Sequence, residues 1–157
     1  MAEILRSALF IDYESLDSAL FGADGKGTRL ADRAAAWLAA IETGRLIGPE
    51  GTKRRLVTKR CYAGPAVVGK QRDALTAAGF EVVDLGGNDA VARSSADLHI
   101  AMDTIDALGR PAGPDEFIVL TSGSELAPLL TRLKASKRQT VIFGDGALQP
   151  RDRALAD

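Results

Sequence analysis

The sequence predicts an α/β fold built on a parallel sheet with helices on both faces. Three observations predict it. Five short apolar runs alternate along the chain with segments whose apolar residues recur at helical spacing. The first run, Ser7 to Ile11, is apolar without alternation, as in a strand buried on both faces. The length, 157 residues, suits one domain with one core. Strand–helix alternation of this kind implies right-handed crossovers.

The elements follow in order. After Ser7–Ile11 comes a glycine-rich loop, FGADGKGT. Leu30, Ala34, Trp37, Leu38 and Ile41 then mark a helix, with Thr28 as its cap and Gly44 as its stop. EGTKRR turns the chain into a second strand, LVTKRCYA. VVGKQRDALTAAG reads as a helix closed by Gly79. FEVVDL is the third strand and GGNDAVAR a loop. SSADLHIAMDTIDALG is a helix whose apolar stripe is Leu98, Ala101, Met102, Ile105 and Leu108. RPAGPD is a loop, and EFIVLT the fourth strand. SELAPLLTRLKAS is a helix that tolerates Pro128 near its first turn. TVIFG is the fifth strand. The end, DGALQPRDRALAD, has no strong pattern. The expected organisation is one domain over 1–147 and a tail over 148–157, a linker towards a further C-terminal domain.

Composition narrows the chemistry. Lys plus Arg (20) nearly balances Asp plus Glu (21), so the chain as a whole is not an electrostatic nucleic-acid binder. One cysteine, Cys61, excludes an internal disulfide and cysteine-rich zinc sites, and is most simply a small core residue. One histidine, His99, excludes sites built on several histidines; it stands four residues before Asp103, within pairing distance on a helix. No apolar run approaches the roughly 18 residues of a membrane span, and the N-terminus lacks a signal-peptide pattern. The expected location is the cytoplasm, with no membrane partner. GADGKGT lacks the Lys-Ser/Thr ending of a phosphate loop. Lys53, Arg54, Arg55, Lys59 and Arg60 form either a solvated start to the second strand or a phosphate-binding rim.

The acids carry the functional signal. Ligands of open α/β sheets bind beyond the carboxyl ends of the strands. Asp12 and Glu14 follow the first strand, Asp97 starts the helix after the third, and Glu125 starts the helix after the fourth. If the first strand is central, these positions converge. A carboxylate cluster is costly unless a cation sits within it. Oxygen donors favour Mg²⁺ or Mn²⁺, ions that activate water towards phosphodiesters. Capping competes as an explanation: Ser94-Ser95-Ala96-Asp97 and Ser122-Gly123-Ser124-Glu125 both fit a capping box. Asp12 has no such alternative.

Four segments together resemble the NYN domain family, of the LabA and limkain type, in the PIN-like nuclease superfamily. They are LFIDYESL, CYAGP…KQRDALTAAGFEVVDL, ARSSADLHIAMDTIDAL and DEFIVLTSGSELAPLLTRLKASKRQTVIFGDG, in family order over nearly the whole chain. The resemblance implies a three-layer α/β/α sandwich with a parallel five-stranded sheet of order near 3-2-1-4-5. It implies a metal-dependent ribonuclease in which Mg²⁺ or Mn²⁺ is held by carboxylates. Asp12 matches the acid of the first strand, Asp97 that of the helix motif, and Asp103 the later acid of the same helix. Ser122, Ser124 and Glu125 match the turn after the fourth strand. Asp12, Asp97 and Glu125 are thus the expected catalytic and metal-holding set, with Asp103 as a further metal ligand. Ser15, Arg93, Ser122 and Ser124 are the expected RNA-contacting residues.

The chain also departs from the family pattern. Gly123 and Glu125 stand where Asp is usual, Ser15 where Asn is usual, Arg93 where Lys is common, and Gly64 lacks a frequent acid. Two other readings therefore accompany the nuclease: a catalytically degenerate NYN module that binds RNA or protein, and a receiver-like switch with Asp84 after the third strand. RNA is the expected partner, and a homodimer is a further expectation.

Overall fold

The computed structural model of the chain describes residues 3–14, 30–45, 51–85, 89–121, 127–136 and 139–143. Five strands form one sheet: β1 (Leu5–Asp12), β2 (Arg54–Ala63), β3 (Glu81–Asp84), β4 (Glu116–Leu120) and β5 (Gln139–Phe143). Their order is β3-β2-β1-β4-β5, and every neighbouring pair is parallel. The order agrees with the one the family resemblance implies. It excludes the receiver-like arrangement, whose third strand lies beside the first in a 2-1-3-4-5 sheet: Asp84 ends an edge strand, with β2 between it and β1.

β1 is central, and its composition explains why. Residues Ser7 to Asp12 are all buried, so both faces of the strand are covered. Period-two alternation divides them. Leu9 and Ile11 enter one core layer, with Ala34, Leu38, Ile41 and Leu75. Ala8 and Phe10 enter the other, with Ala96, Ile100, Leu129 and Leu133. The first layer is roofed by α1 (Ala34–Glu42, preceded by a 3₁₀ turn over Leu30–Arg33) and α2 (Pro65–Ala77). The second is roofed by α3 (Asp89–Leu108) and α4 (Ala127–Ala135). The result is the expected three-layer sandwich.

The helix stops follow the sequence signals. Gly44 ends α1 at φ 78°, and a Cβ there would lie 2.6 Å from the Thr52 backbone, so both conformation and space require glycine. Gly79 closes α2 at φ 103°. Pro65 opens α2, where its fixed φ is suited to the first turn and no amide donor is needed. Pro128 lies one residue into α4, as expected. Thr28, the expected cap of α1, and the FGADGKGT loop lie outside the described residues.

Two expectations for α3 need correction. The helix begins at Asp89, within the segment GGNDAVAR read as a loop. An acid at a helix start complements the backbone dipole, and Ala-Val-Ala continues the helix. The apolar stripe is also largely misplaced. Leu98, Met102 and Ile105 are 61%, 59% and 47% exposed, whereas Ala96, Ile100 and Thr104 are buried. Ala101 and Leu108 do pack against the core. Small residues bring α3 close to the sheet, while the larger side chains at i, i+4 and i+7 share the outward face. None of the helices among the described residues is long and apolar enough to cross a membrane.

The basic run beginning at Lys53 is likewise corrected in part. Arg54 is buried, 4% exposed, at the amino-terminal end of β2. Its Nε donates to Glu116 Oε1 at 2.7 Å and its Nη2 to Oε2 at 3.2 Å. Its Nη1 donates to the Ile41 carbonyl, and Ser7 Oγ donates to Glu116 Oε1 at 2.6 Å. Arg54 is therefore a structural cation spanning β1 from below, not part of a phosphate rim. It lies opposite Leu5, seven residues along β1 from Asp12, about 23 Å at 3.3 Å per residue.

Candidate metal and RNA site at the carboxyl edge of the sheet

Asp12 is the last residue of the central strand and is 6% exposed. The alternation that sends Ala8 and Phe10 towards α3 and α4 puts Asp12 on that same face. Its register partner on β2 is Tyr62. On the other side, Ile11 pairs with Leu120, so the buried Thr121 that follows stands level with Asp12. Tyr13, next in the chain, is wholly buried and donates a hydrogen bond from its hydroxyl to Gln71 of α2. The chain is thus anchored on the α1–α2 face where it leaves the strand.

Asp97 lies in α3 beside Ala96, which is fully buried in the layer that holds Phe10 and Tyr62. It sits about two turns from the start of the helix at Asp89. The capping-box reading of Ser94–Asp97 therefore fails, because orphan amides belong to the first turn only. Arg93 lies on the same helix, four residues or about one turn before Asp97. Ser15, Ser122, Gly123, Ser124 and Glu125 lie outside the described residues.

Asp103 is held by two donors. Tyr62 donates its hydroxyl proton to Asp103 Oδ2 at 2.6 Å, and Arg60 Nη1 reaches the same oxygen at 3.1 Å. Arg60 Nε donates to Glu81 Oε2 on β3 at 3.0 Å. Burial alone would lower the Arg60 pKa, but the charges of Glu81 and Asp103 outweigh it and hold it above its usual value. Burial, then the bond to Asp103 and its negative charge, push the Tyr62 phenol well above its ordinary range, so it remains a donor. His99, expected beside Asp103, has its ring centroid 6.4 Å from that of Tyr62. Asp103 turns to β2 instead.

The donor types near Asp12 bear on which cation could be held. Cys61, the one thiol, is fully buried in the opposite layer. Burial, then the negative charge of Asp12, push its pKa up, so it stays protonated and offers no thiolate ligand. With the thiol excluded, the remaining donors are carboxylate oxygens and one imidazole, His99. Among the described residues no three His, Cys, Asp or Glu side chains come together as a metal-holding group. Sequence reasoning missed Tyr62 and Arg60 as neighbours of the acids. Alternation places Arg60 and Tyr62 on one face of β2, but that α3 covers this face is not in the sequence.

The comparisons agree with this architecture. A solved structure of a Vibrio parahaemolyticus protein of unknown function superimposes with a TM-score of 0.70 at 18% sequence identity, covering 100% of this chain and 93% of that one. No curated protein matches the sequence. The sequence model of the NYN domain matches residues 6–155. The chain belongs to the NYN domain family of the PIN-like superfamily.

Proposed function

We propose that this protein is a metal-dependent ribonuclease whose divalent ion is anchored by Asp12. The observation that carries this reading is a buried carboxylate at the carboxyl end of the central strand, on the face covered by the helix that bears Asp97. Family membership supports it, since PIN-like nucleases generally work with divalent metals. Asp12 and Asp97, joined by Glu125, hold the ion. When bound, the ion supplies Lewis acidity that activates water and offsets charge on the phosphate. Ser122, Ser124 and Arg93 orient the scissile phosphate by hydrogen bonds and charge, and Ser15 contacts the adjoining backbone. Contacts of this kind position RNA without reading its bases.

A second reading is favoured by one feature of the sequence: Gly123 stands where the family carries an acid. A site short of one carboxylate holds an ion weakly, and the chain then acts as a module that binds RNA or protein without cutting. One assay separates the two. Single-stranded RNA is incubated with Mn²⁺ and the wild-type chain, Asp12→Asn or Gly123→Asp. The nuclease reading expects cleavage by wild type, its loss to background in Asp12→Asn, and faster cleavage by Gly123→Asp. No cleavage by either wild type or a folded Gly123→Asp leaves the binding module.

A further inference from the structure

We propose that Asp103 serves the Asp12 site as a positioning residue together with Tyr62 and Arg60. The three lock α3 against β2 and so set where Asp97 stands relative to Asp12. The inference rests on the reading of Asp12 and Asp97 as metal-holding acids, and it moves Asp103 out of the ligand set.

Tyr62 is tied to Asp12 through the β1–β2 ladder, where the two are register partners. Its ring is wholly buried, 6.4 Å from the ring of Phe10 on β1 and 6.4 Å from that of His99 on α3. From this fixed point its hydroxyl reaches Asp103 Oδ2 at 2.6 Å, a charge-assisted bond at the short end of the range. Arg60, two residues earlier on the same face of β2, adds a second donor to that oxygen at 3.1 Å and is itself tethered to Glu81 on β3. A metal ion taking this oxygen would compete with both a phenol and a guanidinium. Asp97 lies six residues before Asp103 on α3, about 9 Å along the axis. Over that length a helix is rigid, so a shift at Asp103 is carried to Asp97. Supports of this kind commonly govern metal affinity by about 10–100-fold without touching the ion.

The test is Mn²⁺ affinity of the full chain, read from loss of the free-ion electron paramagnetic resonance signal, with thermal melting as a check of folding. Tyr62→Phe and Asp103→Asn are each expected to weaken Mn²⁺ binding by about tenfold. The double variant should be no weaker than the worse single one, because both break one linkage. Asp12→Asn should abolish binding. Arg60→Gln, which removes the outer donor, carries the same expectation if Tyr62→Phe does not fold. Loss of binding in Asp103→Asn as complete as in Asp12→Asn, with Tyr62→Phe binding like wild type, overturns the inference and makes Asp103 a ligand. Wild-type affinity in both Tyr62→Phe and Asp103→Asn also overturns it. A wild-type chain that takes up no Mn²⁺ overturns the metal reading of Asp12 itself, and this inference with it.

Discussion

Arg54→Met is expected to destabilise the chain by about 3–5 kcal/mol, measured by chemical denaturation. Arg54 and Glu116 are 4% and 1% exposed, and their two-pronged contact sits beneath the central strand. Removing the guanidinium leaves the Glu116 carboxylate buried with Ser7 Oγ as its remaining partner among the contacts described above. It also strips the Ile41 carbonyl at the end of α1 of a donor. Removing one member of a buried pair costs more than the pair itself contributes, because the surviving charge keeps its desolvation penalty. Natural domains have only about 5–15 kcal/mol in total. The melting temperature should therefore fall by roughly 10 °C. Glu116→Gln should act in the same direction, since it removes the Glu116 charge from beside the buried Arg54 guanidinium. The double variant Arg54→Met/Glu116→Leu should recover much of the loss, because apolar side chains of similar volume fill the space without a charge. Single variants within about 1 kcal/mol of wild type would show that water reaches this pair.

How much of this was legible in the sequence depends on whether the deciding contact is local. β1 was legible because an apolar run without alternation has few explanations other than a strand covered on both sides. Gly44 and Gly79 were legible because helix stops are set by the chain's own backbone. The strand order came from the family resemblance, since alternation alone permits several doubly wound orders. Arg54 was not legible: its partner is 62 residues away on β4, and a basic run looks the same in sequence whether its side chains are buried or exposed. The buried face of α3 was not legible because the helix is apolar on two sides. Close packing chose Ala96 and Ile100 and left Leu98 and Met102 outside. The Asp103 contact was misjudged for the complementary reason. A local partner, His99, was visible in the sequence, while Tyr62 and Arg60 reach Asp103 only through the packing of α3 on β2.

Asp97 illustrates how structure can change the weight of a motif without adding a contact. In sequence, Ser-Ser-Ala-Asp was as good a cap as a functional acid. Two further helical turns before it remove the cap, because the amides around Asp97 already have partners in their own helix. Asp12 needed no such help. Its carboxylate is buried at the end of the central strand, and the adjoining β2 and β4 give it a defined level in the sheet.

Whether Asp12 anchors a divalent cation is read from the melting temperature with and without Mn²⁺. A ligand that binds only the folded chain at one hundred times its Kd contributes about 2.7 kcal/mol. For a domain of this size that corresponds to a rise of roughly 5–10 °C. This rise is expected for the wild-type chain and its loss in Asp12→Asn and Asp97→Asn, with both variants folded. Without metal, Asp12→Asn should keep the fold, with the melting temperature within about 2 °C of wild type, so that any loss of the Mn²⁺ shift reads the ion and not unfolding. A wild-type melting curve that does not move in saturating Mn²⁺, or one that moves equally in Asp12→Asn, would show that Asp12 holds no ion.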